Sequence, residues 1–296
     1  AGKTYKLQVE YFDNGGDCFA GLYWKAPSAG SQNVLARFGD AGKVAAECDV
    51  TVAVLGINKS IEREGQDRFS LELPVDQQEF IKELYKVNPN TVVVLVAGSS
   101  MAVNWMDENV PAILNAWYPG EQGGNAVAEV LFGDYNPGGR LPLTYYNSLD
   151  EIPAFDNYFV KGRTYQYFEG QPLYEFGYGL SYTKFRYKSK GVNVEQDTVK
   201  VSFEVSNTGK YDGDEVTQVY VKYPETGTYM PLKQLHGFKR VHIKKGKTSK
   251  VTIGVPKKDL RYWDEQERKF VTPKGEYTFM VGASSDDIKF RETVGL

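Results

Sequence analysis

Four charged residues follow an apolar run and are the best candidates for chemistry in this chain. The run Val50–Gly56 predicts a buried strand. The loop after it contains the charged residues Glu62, Glu64, Asp67 and Arg68. Ligands of open α/β sheets bind beyond the carboxyl ends of the strands, so these side chains stand where a ligand would bind. A carboxylic acid held there beside a cation and a glycine is a candidate for general acid/base catalysis.

The acid could be either of two carboxylates, because Glu62 and Glu64 are two residues apart. Carboxylates this close can raise each other's pKa, which favours a proton donor near neutral pH. Arg63 and Arg68 would lower the same pKa values. The residues leave this balance open, and they also leave open that the run is an ordinary solvated loop.

The composition is that of a soluble globular protein with about two domains in 296 residues. The 35 basic and 38 acidic residues give a net charge of −3, which favours neither nucleic acid nor an anionic membrane as a partner. No apolar run approaches the roughly 18 residues of a membrane span. The first residues do not form a signal peptide.

The cysteines and histidines are too few for several other kinds of site. Cys18 and Cys48 are the only cysteines, and we interpret them as reduced, buried thiols rather than a disulfide. No metal-ligand spacing is present. His236 and His242 are the only histidines, and the absence of a G-x-S-x-G turn argues against a Ser-His-Asp site.

Residues 34–146 alternate between helical and strand patterns, which predicts a layered α/β domain. The expected helices are 40–48, 74–87 and 123–132, and the expected strands are 50–56, 91–97 and 112–116. Thr91–Ala97 is so apolar that both of its faces must be covered, as in a parallel sheet. The turn Tyr118–Gly124 is neither a Walker loop nor a G-x-G-x-x-G motif, so we interpret it as a tight turn beside a substrate cleft.

The remaining parts of the chain are rich in strand and turn signals. Two strands near the N-terminus cannot be stable alone, so we expect the chain to begin inside a β module. Residues 150–184 are rich in Tyr, Gly and Pro without a clear period. From about residue 185 short strands predict an antiparallel β-sandwich. The expected strands are 185–189, 197–206, 214–223, 235–243, 248–255, 269–271, 276–282 and 287–294.

Four motifs in a fixed order identify a family resemblance. They are Glu62–Arg68 with Leu73–Pro74, then Tyr118–Gly124, Leu131–Pro142 and Phe176–Thr183. Jointly the motifs are highly specific, and they resemble the C-terminal half of glycoside hydrolase family 3 over about residues 33–296.

The resemblance implies a four-part organisation. Its parts are the end of a PA14-like β module (1–28), an (α/β)6-sandwich domain (33–150), a connector (151–184) and a fibronectin type III-like domain (185–296). It also implies a TIM-like barrel, absent from this chain, that carries a nucleophilic Asp. The α/β sandwich lends that barrel its acid/base Glu. Glu64 matches this residue in a Glu-Gly-x-Asp-Arg loop, and Glu62 is the alternative acid/base or a sugar contact.

The activity implied by the resemblance is that of a retaining, exo-acting β-glycosidase on β-D-xylosyl or β-D-glucosyl residues. The stretch 162–168 with 172–174 is more similar to β-xylosidases. We expect Asp67 and Arg68 to contact substrate, no cofactor, and a periplasmic or secreted protein. A non-catalytic carbohydrate-binding or accessory protein is the alternative. A nucleotide-binding protein is a weaker alternative, because no phosphate loop is present.

Overall fold

The computed structural model describes residues 34–296, so the β module expected at residues 1–28 lies outside the described residues. A 3₁₀ turn at Val34–Phe38 comes first. The next elements are α1 (Ala41–Glu47), β1 (Thr51–Gly56), α2 (Val75–Val87), β2 (Thr91–Val96), α3 (Asn104–Asn109), β3 (Ala112–Asn115) and α4 (Gly123–Phe132). Every helix and strand expected from the sequence in this part is present. The helix α3 was not predicted, because its six residues are too few to show a helical period.

The three strands form a parallel sheet in the order β1-β2-β3. In the middle strand Val93, Val94 and Leu95 are no more than 2% exposed, which confirms that both faces of β2 are covered. Parallel order places the carboxyl ends of all three strands at one edge of the sheet. That edge is where the charged loop after β1 emerges.

One face of this sheet packs against α1 and α2. Leu55 and Leu95 are paired neighbours on that face and share a buried cluster with Ile81 and Leu84 of α2. On the other face, Val54 of β1 stays 66% exposed within residues 34–296. The described part therefore covers β1 on one side only.

The rest of the chain passes through a connector with a short helix, α5 (Thr164–Tyr167), into an antiparallel sandwich. Its strands are β4 (Phe185–Val194), β5 (Thr198–Asn207), β6 (Gly213–Lys222), β7 (Gln234–Ile243), β8 (Thr248–Pro256), β9 (Tyr262–Asp264), β10 (Lys269–Val271), β11 (Glu276–Gly282) and β12 (Ile288–Gly295). One sheet has the order β12-β11-β6-β7, the other β4-β5-β8, and β9 pairs with β10. The expected sandwich is confirmed, although the three-residue β9 was not predicted.

Alternation explains why these strands form two packed layers. In β5, Val199, Val201 and Phe203 are 0–1% exposed, while the residues between them are exposed or half-buried. The inward side chains of both sheets form one buried cluster that includes Val219 and Phe279. The sandwich thus has its own hydrophobic core.

Polar contacts join the segment after α4 and the connector to this sandwich. Arg140 Nη2 lies 2.7 Å from Glu215 Oε2, and the two side chains are only 8% and 3% exposed. The Tyr187 hydroxyl donates to the other carboxylate oxygen of Glu215 at 2.6 Å. Gly177 has φ +83° and lies against Gln218, whose Oε1 would be 2.1 Å from an added Cβ. Glycine is therefore required at that point of the connector.

Cys48 is exposed and unpaired, so the interpretation of both cysteines as buried is wrong for Cys48. It follows α1 at the start of the turn into β1. Cys18 lies outside the described residues. Among residues 34–296 no helix has the length and apolar character needed to cross a bilayer.

The sandwich should lose stability in weak acid because of His236. Burial lowers the pKa of His236, and Asp259 opposes this shift. The ring contacts the Tyr223 hydroxyl through Nε2 at 2.8 Å. The unfolded chain binds the imidazole proton below about pH 6.5, whereas the folded chain does so only at lower pH. Stability should therefore fall as pH drops through that window, by at most about 1.4 kcal/mol per unit from this group.

Urea unfolding at pH 7.5 and at pH 5.5 measures this effect. A His236→Gln variant should show a smaller loss of stability between the two pH values than the unchanged chain. An equal loss in both proteins would assign the acid sensitivity to other groups.

Candidate active site

The loops after β1, β2 and β3 meet at the carboxyl edge of the parallel sheet. Glu62 comes from the first loop, Gly98 and Ser99 from the second, and Tyr118 from the third. Of the four charged residues expected at this edge, the structure places Glu62 and Arg68 in the meeting point of the loops. It places Glu64 and Asp67 at the surface.

Glu62 is the most engaged carboxylate of the edge, with its side chain 17% exposed. Oε1 accepts hydrogen bonds from the Gly98 backbone N–H and the Tyr118 hydroxyl, each at 3.2 Å. Oε2 accepts from the Ser99 hydroxyl and lies 3.1 Å from Arg68 Nε. Four donors around one carboxyl group suit an ionised carboxylate, which only accepts. Glu62 therefore has the surroundings of an anchor rather than of a proton donor.

The Arg68 guanidinium faces the protein. Its side chain is 10% exposed, and besides Glu62 it contacts the Ser100 carbonyl oxygen through Nη2 at 2.7 Å and Met101 Sδ through Nη1 at 2.9 Å. Each of its three nitrogens has a protein partner. The expected contact of Arg68 with substrate remains a prediction, and these contacts favour a role in holding the loop.

Glu64 lies at the tip of a two-residue hairpin. Arg63 and Gln66 exchange backbone hydrogen bonds at 3.3 and 3.0 Å, and Gly65 between them has φ +74°. The Glu64 side chain is exposed, as is that of Asp67, and within residues 34–296 neither has a hydrogen-bond or ion-pair partner. Within the described part of the chain Glu64 is thus an unpaired carboxyl group on a structured turn, available to another surface.

The sequence did not single out Gly98, Ser99 and Tyr118 as site residues. A Cβ on Gly98 would lie 2.5 Å from the Tyr118 ring and 2.9 Å from Glu62 Oε1, so only glycine fits there. Burial raises the pKa of Tyr118, and the charge of Glu62 and the hydrogen bond to it add to this shift. The sequence signal that could have identified these residues is their position, since they closely follow the ends of β2 and β3.

No group of three or more His, Cys, Asp or Glu side chains in the described part of the chain is placed to hold a metal ion. The edge offers carboxylates, a guanidinium, hydroxyls and a backbone N–H. These groups can move a proton and hold a polar ligand.

Comparison with known proteins gives two family matches. The Glycosyl hydrolase family 3 C-terminal domain matches residues 8–182, and the Fibronectin type III-like domain matches residues 215–285. The first match covers the whole edge described above, from the loop after β1 to the connector.

Similar proteins are named as β-glycosidases. The chain is 42% identical to a xylan 1,4-beta-xylosidase of Xylanibacter ruminicola, over 75% of this chain and 26% of that protein. It is 36% identical to a beta-glucosidase of Kluyveromyces marxianus, over 97% of this chain and 36% of that protein. A crystal structure of the Kluyveromyces marxianus beta-glucosidase superposes with a TM-score of 0.80 at 37% identity, covering 87% of this chain and 34% of that one. The chain therefore spans about a quarter to a third of the length of these relatives.

Proposed function

The chain belongs to glycoside hydrolase family 3, and from this premise we propose that it is the C-terminal part of a retaining, exo-acting β-glycosidase. It would supply the acid/base Glu to a barrel that carries the nucleophilic Asp. The observation that carries the proposal is Glu64: an exposed carboxyl group, unpaired within residues 34–296, on a hairpin at the carboxyl edge of a parallel sheet.

Glu64 is the proposed acid/base, and Glu62 is not. In a retaining mechanism one carboxylic acid protonates the leaving oxygen and then, as a carboxylate, deprotonates water, so the group must face the substrate. Glu64 faces outward without a partner in the described chain, whereas Glu62 is already enclosed by four donors. The second carboxylate, about 5–5.5 Å from the first in retaining enzymes, would come from the barrel.

The proposed substrates are glycosides with a terminal non-reducing β-D-xylosyl or β-D-glucosyl residue. Similar proteins are named for both sugars. The stretch 162–168 with 172–174 favours the β-xylosidases. A periplasmic or secreted location is proposed with it, since one relative from Salmonella typhimurium is named periplasmic beta-glucosidase at 33% identity.

The proposed domains are the end of a PA14-like module at 1–28, an (α/β)6-sandwich domain at 33–150, a connector at 151–184 and a fibronectin type III-like domain at 185–296. The change from helix-strand alternation to strands near residue 185 supports the division between the connector and the sandwich. The barrel of the same enzyme is the proposed partner. Its surface would meet the Glu64 hairpin, and a glycoside would bind between the two.

The lone chain should show no substantial glycosidase activity, because one carboxylate cannot serve as both nucleophile and acid. The measurement is hydrolysis of aryl β-xyloside and aryl β-glucoside by the purified 296-residue chain, beside the longer protein that contains it. The longer protein should turn over at least one substrate. A Glu64→Gln version of the lone chain is the control, because residual activity that ignores this change comes from a contaminant.

Strong turnover by the lone chain, lost in Glu64→Gln, would contradict the need for a barrel. An inactive longer protein that still binds oligosaccharide would favour the accessory protein over the enzyme.

A further inference from the structure

We propose that the Glu62–Arg68 ion pair is a latch that holds the Glu64 hairpin in position for proton transfer. Both residues are then positioning residues, since neither would touch the reacting atoms. This inference rests on the proposed role of Glu64, and it adds a mechanism by which that role depends on two buried neighbours.

The latch encloses the hairpin in sequence and in space. Glu62 directly precedes the first paired residue, Arg63, and Arg68 comes two residues after the last one, Gln66. The pair joins these two ends at 3.1 Å with both side chains mostly buried. A hairpin whose two ends are tied to each other cannot open without breaking this contact.

Both ends are also fixed to the same four-residue segment after β2. Glu62 accepts from Gly98 and Ser99, and Arg68 donates to Ser100 and Met101. The segment follows β2, the best-covered strand of the sheet. The hairpin is therefore connected, through side chains, to a segment that continues from the most buried strand of the sheet.

Within residues 34–296 the paired turn itself has few other contacts, although Ile61 before it packs against the core and the Glu62 N–H donates to the Asn58 carbonyl oxygen at 3.1 Å. Its own support is one pair of backbone hydrogen bonds and a contact from Gln66 Nε2 to the Ser60 carbonyl oxygen at 3.2 Å. An isolated two-stranded turn is marginally stable in water. Proton transfer demands accurate placement, and a displacement of about 1 Å can slow a reaction by roughly 10²-fold.

Tyr118 extends the latch to the third strand. Its hydroxyl donates to Glu62 at 3.2 Å, and its ring passes so close to Gly98 that no side chain fits between them. One carboxylate thus links the loops after all three strands. Glu64, two residues later, has no such contact within residues 34–296.

The test uses Glu62→Gln, Arg68→Met and the double variant in the intact enzyme. Each single change should lower kcat on glycosides with poor leaving groups by about 10- to 100-fold, with a smaller loss on activated aryl glycosides and little change in KM. Because the two residues act as one unit, the double variant should be no slower than the worse single variant. Azide should not rescue any of them, since the Glu64 carboxylate is still present.

Hydrogen exchange supplies a readout that does not depend on turnover. The amides of Arg63 and Gln66 should exchange faster in Glu62→Gln, while those of β2 stay unchanged. Glu47→Gln, an exposed carboxylate on α1, is the matched control and should change neither measurement.

Three results would overturn the latch: equal losses on good and poor leaving groups, unchanged exchange of the hairpin amides, or azide rescue of Glu62→Gln. The last would make Glu62 the acid/base. Failure of the proposed function is a different result. In that case Glu64→Gln shows no dependence on the leaving group, whereas the hairpin amides of Glu62→Gln still exchange faster.

Discussion

Replacing Glu64 with alanine should slow the intact enzyme by roughly 10²–10⁴-fold on glycosides with poor leaving groups. The reason is that alkoxide leaving groups need a proton as the glycosidic bond breaks, and Glu64 is the proposed donor. Activated aryl glycosides leave without that proton, so their glycosylation step should lose much less. The measurement is kcat/KM across a series of aryl glycosides of graded leaving-group pKa.

Azide separates the two candidate carboxylates. Where deglycosylation limits Glu64→Ala, azide should restore turnover and give a glycosyl azide, because it attacks the intermediate without a base. Glu62→Ala should not be rescued, although it loses activity through a displaced hairpin. If azide rescues Glu62→Ala and not Glu64→Ala, the acid/base assignment is reversed.

The sequence was sufficient to predict most of the framework of the site. Continuous apolar character in Thr91–Ala97 predicted a covered strand, and Val93 to Leu95 are indeed buried. Short strand patterns separated by turn signals from about residue 185 likewise predicted the sandwich strands. These are local patterns, repeated over enough residues to show a period. The short elements α3 and β9 fell below that length.

The difference between Glu62 and Glu64 could not be predicted in the same way. It depends on partners 36 and 56 positions away, since Gly98 and Tyr118 reach Glu62 only after the three strands align. It also depends on Gly65, whose positive φ turns the chain so that Glu64 stands at the tip. The motif indicated which loop carries the chemistry, and the contacts of the fold distinguish its two carboxylates.

Arg140 is expected to be a sensitive position for the stability of the chain. It joins the segment after α4 to the sandwich through Glu215, and both side chains are almost fully buried. Burial raises the pKa of Glu215, while Arg140 and the Tyr187 hydroxyl lower it. The carboxylate therefore depends on these partners to remain charged inside the protein.

Arg140→Met should destabilise the chain by about 3–5 kcal/mol, because it leaves a buried carboxylate without its cation. The loss should be greatest near neutral pH and shrink in weak acid, because the buried carboxyl without its cation takes up a proton at a higher pH than the paired one. Urea unfolding measures it, with the exposed Arg186→Met as the matched control, expected within about 0.5 kcal/mol. Adding Glu215→Leu to Arg140→Met should recover part of the stability, since the unpaired charge is then gone. If Arg140→Met behaves like Arg186→Met, or if the double variant is less stable than the single one, the ion pair does not hold the segment after α4 to the sandwich in the way the contacts indicate.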